Sequence, residues 1–343
     1  MANRQHNAAP KLADRDSGEH TLRVWNGNVP GAPKPDITII IVSYNTKDLT
    51  LKCIETLLTC GGDVLAEVIV YDNASRDGSP DAIAQTFPQV QLIASSENAG
   101  FAMANNIVAA EANAPYLLLL NPDTETYEDA IANLLAFAMA NPGGGVYGGR
   151  TYFPNGDLNP FSCCNEITMR SMACRVLGLD KMFPASEFCN SEQIGGWERD
   201  TVRHVDIVIG CFFLISKTLW DKLDGFDTKY FMYGEEADLC HRARKMGYRP
   251  MITPDARIMH LVGASTGVRA DKIQLVACAR VTLIRQYWPA WKVPIGVSLV
   301  RAWVASRFAI SWVMVGIGRD GSSQLLDTWR MVWRERKTWL RGY

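Results

Sequence analysis

The stretch Ile37 to Val42 is apolar apart from Thr38, and Leu117 to Leu120 is four leucines in a row; neither run alternates apolar with polar residues. A strand with one wet face would alternate, so runs like these belong in a sheet covered on both sides, as parallel sheets between helix layers are. A third run, "EVIVYD", lies between them. Helical patterns fill the gaps. Leu51, Ile54 and Leu58 fall on one face after Asn45-Thr46 and before the stop Gly61-Gly62, and "YEDAIANLLAFAMANP" follows the leucine run. Strand and helix alternate to about residue 150, which predicts an α/β domain with a mostly parallel central sheet flanked by helices.

Charge narrows the function. With 35 Lys and Arg against 36 Asp and Glu, the chain has no overall basic field to attract a polyanion, so nucleic acid is not an expected partner. The nine cysteines form no CxxC spacing and read as free thiols in a reducing cytosol. Residues 1–35 are polar, dotted with Pro and Gly and without an apolar h-region, and read as a flexible arm rather than a signal peptide. The stretch 150–205 reads as a long irregular loop region.

From about residue 271 the character changes. Seven of the ten tryptophans lie from Trp288 onward, mixed with Arg280, Arg285, Lys292, Arg301 and Arg307. The longest uncharged run, Phe308 to Gly318, is too short for the roughly 20 residues that span a bilayer. Trp and Arg on amphipathic helices suit the surface of an anionic cytoplasmic membrane. The alternatives are packing on the main domain or on a second copy in a homodimer. The expected organisation is therefore an arm over 1–35, a main domain over 36–270 and a helical extension over 271–343.

In an open parallel sheet, ligands bind beyond the carboxyl ends of the strands. Three polar clusters fall at such ends: Ser43-Tyr44-Asn45, Asp72-Asn73, and Asn121 with Asp123. Each alone is ordinary turn chemistry, but together they suit the hydrogen-bonding groups of a nucleoside. The first strand runs into "VSYNTKDL" with no GxGxxG, and no GxxxxGK[ST] phosphate loop occurs. A nucleoside diphosphate would then need a metal or basic side chains, and Asp123 could share a divalent ion with diphosphate oxygens. Further on, Glu235, Glu236 and Asp238 open a helix that ends in Arg242, Arg244 and Lys245. That placement complements the helix dipole, yet a carboxylate after the aromatic "YFMYG" could also take a proton from a hydroxyl nucleophile. His260 ends a short strand, and no other histidine stands at a zinc-ligand spacing from it.

In order, "IIIVSYN", "VYDNASRDGS", "ENAGFAMANN", "LLLLNPDT", "GFDTKYFMYGEEADLCHRARKMGY" and "ARIMH" closely resemble inverting glycosyltransferases of family 2, with the GT-A fold, and among them the rhamnosyltransferase-like branch. The resemblance covers about residues 36–265. It implies that Tyr44, Asn45 and Asp72 hold the base and ribose of a nucleotide-sugar donor, and that Asn98, Gly100 and Asn105 line its pocket. It makes Asp123 the last acid of the metal motif for Mn2+ or Mg2+, with Asn121 where many members have a first Asp, and His260 a further ligand. It places the general base at Glu236, where Asp is usual, with Glu235 and Asp238 next. The base is expected to be ionised at neutral pH, because a free Glu titrates near ~4.3. The implied reaction is single-displacement transfer, dTDP-rhamnose being the preferred donor and a lipid-linked or polysaccharide hydroxyl the acceptor, at the cytoplasmic membrane surface. A nucleotidyltransferase and a non-catalytic nucleotide-sugar binder are the alternative readings.

Overall fold

The computed structural model describes residues 21–27, 33–261 and 269–343. They divide into two compact units. The first takes the chain up to residue 164 with 198–226 and 239–265, and the second takes 165–197, 227–238 and 266–343. The C-terminal helices therefore do not stand as a separate extension. Two earlier segments of the chain belong with them.

The first unit is built on an eleven-stranded sheet. Its N-terminal half contains β1 (Arg23–Val24), β2 (Ile37–Ser43), β3 (Leu65–Asp72), β4 (Gln91–Ala94), β5 (Tyr116–Leu120) and β6 (Thr124–Thr126). The rest is β7 (Val146–Tyr152), β8 (Leu158–Asn159), β10 (Arg203–His204), β12 (Phe212–Ser216) and β13 (Met251–His260). The short β9 (Cys163–Cys164) and β11 (Ile207–Val208) pair with each other. The sheet order is β1-β3-β2-β5-β12-β7-β13-β10, with β4 on β3, β6 on β13 and β8 on β7.

From β1 to β5 every pairing is parallel, as the unbroken apolar runs require, and Ile37, Ile39, Ile41, Leu118 and Leu214 are fully buried. Beyond β5 the sheet is mixed. β12 runs antiparallel to both β5 and β7, while β13 returns parallel to β7. Helices α1 (Lys47–Cys60), α2 (Ser79–Thr86), α3 (Gly100–Glu111) and α4 (Ala130–Ala140) connect the early strands. Cys53, Ile54 and Leu57 of α1 and Ile131 and Leu134 of α4 complete the core on the sheet.

The arm expected over 1–35 is corrected where the chain is described. Leu22 is buried, and Arg23 and Val24 pair with Leu65 and Ala66 of β3. Two residues are too short a run to show strand periodicity, so composition hid this edge. Residues 1–20 and 28–32 lie outside the described residues.

The second unit packs α5 (Met169–Leu177) and α6 (Leu179–Met182) with the later helices α9 (Arg269–Tyr287), α10 (Val293–Gly316), α11 (Ser322–Arg334) and α12 (Arg336–Trp339). Between the two sets the chain forms α7 (Lys217–Lys222), in the first unit, and α8 (Glu235–Lys245). Met172, Val281, Ile284, Val300, Val304 and Trp339 form the helical core. The irregular reading of 150–205 is thus corrected at α5, which is closed by a capping box between Thr168 and Ser171. Serine in place of the usual Glu or Gln at the third position left that signal unread. Beside this core, Glu192 is buried against Arg280 and lies 3.2 Å from Arg175. Two guanidiniums hold its carboxyl below the usual range against the opposing effect of burial.

One expectation about α10 also changes. The uncharged run is short, but the helical segment Ala290–Gly316 is long and apolar enough to cross a membrane by length and composition. It tolerates Arg301 and Arg307 within that span.

Candidate functional site

The loops after β2 and β3 brace each other. Asn45 has a left-handed φ of 52° and accepts the Arg76 N–H on Oδ1 at 2.8 Å, while its own N–H donates to Ser75 Oγ at 2.8 Å. Ser43 is buried in a hydroxyl cluster with Thr46 at 3.2 Å and Thr50 at 3.0 Å. Its side chain supports the helix start and is turned to protein, not to a ligand. Tyr44 between them is exposed and free to lie against a ring. Asp72 is 1% exposed; Oδ1 accepts the Ser75 N–H at 2.8 Å, and Oδ2 is buried without a partner. A buried orphan acceptor at a strand end is what a ribose hydroxyl or base N–H would satisfy.

Asn73, expected only as part of the Asp72-Asn73 cluster, ties this edge together. Its N–H donates to Ser43 O at 2.8 Å, its Oδ1 accepts the Ala99 N–H at 2.7 Å, and its amide donates to Gly100 O at 3.2 Å. The Asn98 side chain accepts the Gly100 N–H at 2.9 Å, and Gly100 sits at φ 78°, where a side chain would be strained. Asn105 is buried and donates back to Phe101 O at 2.8 Å. Asn73→Ala removes the clamp on the 98–100 loop. The expected result is a donor KM raised roughly tenfold with kcat changed less, the scale of one or two buried hydrogen bonds, measured by steady-state kinetics.

Asp123 and His260 are 137 positions apart, yet strand register brings them together. Antiparallel β6 and β13 place Thr124 opposite His260, and the Leu261 N–H donates to Asp123 O at 3.0 Å. His260 Nε2 is then 3.2 Å from Asp123 Oδ1, both side chains being almost fully buried. The turn is held independently of these side chains. The Asn121 N–H donates to Cys211 O at 3.1 Å, and Thr124 Oγ1 donates to Asn121 O at 2.7 Å. The Asn121 amide lies 3.5 Å from His260 Nε2.

Burial alone would lower the His260 pKa. Cys211 and Asp123 outweigh it and push it up to about 10, so the pocket favours positive charge. Among the described residues no group of three or more His, Cys, Asp and Glu forms a metal cluster. Two donors nevertheless fit a divalent ion that takes its remaining ligands from phosphate oxygens and water. Neighbouring ligands of an octahedral ion, each at ~2.1 Å, lie ~3 Å apart.

In the second unit the acids sit after a constrained turn. Tyr233 has φ 68° and Gly234 φ 100°, and a Cβ on Gly234 would come within 2.9 Å of the Tyr230 ring. The Tyr343 hydroxyl donates to Met232 O, and its ring meets Tyr230 edge-on at 5.5 Å. Asp238 is fully buried and accepts from the Tyr287 hydroxyl and from Gln286 Nε2 at 3.0 Å. That engagement makes it a support rather than a free base.

Glu235 is buried and Glu236 half-buried. Burial first, and then the neighbouring Glu236, hold the Glu235 carboxyl well above its usual range; burial raises Glu236 as well. The expectation of an ordinarily ionised Glu236 is corrected accordingly: the pair titrates high. The upward displacement is the larger for Glu235, the more deeply buried member, which also faces Glu236. A raised carboxyl contributes stability that is present in acid and lost as pH rises through its folded pKa. Glu235→Gln, a mimic of the protonated form, is therefore expected to raise Tm at pH 8 by on the order of 2 °C and to leave it unchanged near pH 4, by scanning calorimetry.

Residues 38–173 match the family model described as Glycosyl transferase family 2. Among curated relatives, the N-acetylglucosaminyl-diphospho-decaprenol L-rhamnosyltransferase of Mycobacterium tuberculosis (strain ATCC 25618 / H37Rv) is 29% identical over 211 residues, covering 58% of this chain and 68% of the relative. Rhamnosyltransferase WbbL of Escherichia coli (strain K12) is 26% identical over 237 residues, covering 65% and 83%. Among solved structures, the mannosyltransferase PcManGT from Pyrobaculum calidifontis, in complex with GDP-Man and Mn2+, is similar with a TM-score of 0.52 at 19% identity, covering 90% of this chain and 86% of that one. At that identity the likeness concerns the fold alone.

Proposed function

From the premise that this chain belongs to glycosyltransferase family 2, is similar to its rhamnosyltransferase-like members and is a glycosyltransferase of GT-A fold, we propose the reaction it performs. It moves L-rhamnose from dTDP-rhamnose, with inversion, to a hydroxyl of a lipid-linked or polysaccharide acceptor in cell-envelope glycan synthesis, at the cytoplasmic face of the membrane. The observation that carries this reading is the pairing of Asp123 with His260 at 3.2 Å, in the turn that follows the β5 strand end. Two curated relatives named as rhamnosyltransferases support the choice of donor sugar.

The residues divide the work. Asp72 Oδ2 accepts from the nucleoside, Tyr44 lies against its base, and the Asn73-clamped loop Asn98–Gly100 frames the pocket together with Asn105. Asp123 and His260 hold Mn2+ or Mg2+, which when bound offsets the charge of the departing diphosphate. Glu236 takes the proton of the acceptor hydroxyl as that oxygen attacks the anomeric carbon from the face opposite the leaving group. Beside it, burial and Glu236 hold the Glu235 carboxyl well above its usual range.

The test is nucleoside diphosphate release from a panel of dTDP-, UDP- and GDP-sugars, with membrane lipid extract and Mn2+ or Mg2+. Release from dTDP-rhamnose alone, dependent on extract and metal, is the expected result. Release from another donor would reassign the sugar. Tight binding of nucleotide sugars without acceptor-dependent release from any of them would favour a binding protein over an enzyme.

A further inference from the structure

The C-terminal helices carry a charge that the whole-chain total conceals. Residues 269–343 hold thirteen Lys and Arg against four Asp and Glu, while the chain as a whole is at −1. In the same region α10 has two distinct parts. Val300, Trp303 and Val304 are buried in the helical core with Val281 and Ile284 of α9. Arg307 then donates to Arg175 O at 2.7 Å and lies 3.7 Å from Asp180. Past Arg307 the exposure rises sharply: Ile310 is 45% exposed, Trp312 67%, Val313 54% and Ile317 73%. Ile310, Val313 and Ile317 are spaced three and four residues apart, so they form one stripe, with Trp312 beside it. The helix ends at a turn through Gly318 and Gly321, both at positive φ, with Arg319 and Asp320 between them.

We infer that the stripe Ile310, Val313 and Ile317, with Trp312 on the neighbouring face, lies in the interface of an anionic lipid bilayer, parallel to its surface, with the excess positive charge of the C-terminal helices toward headgroup phosphates. Length and composition alone would also allow α10 to span the membrane, but its packing opposes that. One face of the part up to Arg307 is packed in the helical core, through Val300, Trp303 and Val304, and the remaining helix from 308 to 316 is only ~14 Å long against a hydrocarbon thickness of ~30 Å. A shallow in-plane helix needs an apolar stripe, an interfacial aromatic and basic charge nearby, here given by Ile310, Val313 and Ile317, by Trp312, and by the excess of Lys and Arg over 269–343. The excess of positive charge commits the occupant to an anionic lipid surface, because a second copy would bring the same positive field against this one.

The experiment is vesicle co-sedimentation of the full chain with phosphatidylcholine vesicles and with phosphatidylcholine–phosphatidylglycerol vesicles, at low and high salt. Wild type is expected to bind the anionic vesicles at least about tenfold more strongly than the neutral ones, the preference shrinking in high salt. Trp312→Ser with Ile317→Ser is expected to weaken anionic-vesicle binding about tenfold or more. Both positions are exposed, so the fold is spared, and an unchanged Tm checks this. Binding is read without turnover, so the outcome is independent of the proposed reaction. Equal binding of wild type and the double variant would overturn the inference. So would the absence of vesicle binding, or a wild-type dimer that the double variant dissolves by analytical ultracentrifugation.

Discussion

Glu236→Gln is expected to lower kcat by about two to four orders of magnitude, the range spanned by loss of a positioned general base, with the donor KM within about twofold. The amide keeps the size and most of the hydrogen bonding of the carboxylate but cannot accept the acceptor's proton. What makes Glu236 the member to test is its contrast with its neighbours. Glu235 is the more deeply buried of the pair, and burial and Glu236 hold its carboxyl well above the usual range, whereas Asp238 already accepts from Tyr287 and Gln286. Glu235→Gln should accordingly retain substantial activity where Glu236→Gln does not. The pH dependence follows with a definite sign. Because burial raises Glu236, the fraction able to act as base falls on the acid side at a higher pH than an ordinary Glu near ~4.3 would give. The acidic limb of kcat/KM against pH is expected to be displaced upward.

Asp123→Asn carries the second large effect, a fall of about 10³ in kcat/KM together with loss of metal dependence. Several kcal/mol of charge compensation on a leaving diphosphate corresponds to that factor at 1.36 kcal/mol per tenfold. The substitution is nearly isosteric, and the Asn121 and Leu261 backbone bonds that shape the turn do not involve the Asp123 side chain. A loss of activity would thus report charge rather than collapse of the turn. The variant should also lower the His260 pKa, since one of the groups that raise it is removed. That is readable by NMR titration of the imidazole in metal-free protein.

The early half of the sheet was legible because its residues leave no other solution. Ile39 to Ile41 and the four leucines at 117–120 are unbroken apolar runs, and they pair in parallel at the centre of the sheet. The strand-end clusters could be read for the same reason, since they mark where those runs stop. The later half was harder. β12, antiparallel to both of its neighbours, has the same apolar composition as a parallel strand, so its direction is set by connection and not by pattern.

The clamping role of Asn73 within its cluster was not legible because its three partners, Ser43, Ala99 and Gly100, are brought together only by the fold. The closeness of Asp123 to His260 is likewise a property of the β6–β13 register. Residue types alone would leave His260 a lone histidine, and it was the resemblance of "ARIMH" to a known motif that pointed to it. The upward displacement of Glu235 and Glu236 depends on burial, which sequence does not contain.

The most direct test of the account is calorimetric titration of wild type and Asp123→Asn with dTDP, in the presence and absence of Mn2+. The account predicts that Mn2+ tightens dTDP binding to wild type by at least about tenfold and gives Asp123→Asn no such gain. Equal wild-type affinity with and without the metal, or the same gain in the variant, would contradict the assignment of Asp123 and His260 as the diphosphate-side metal site.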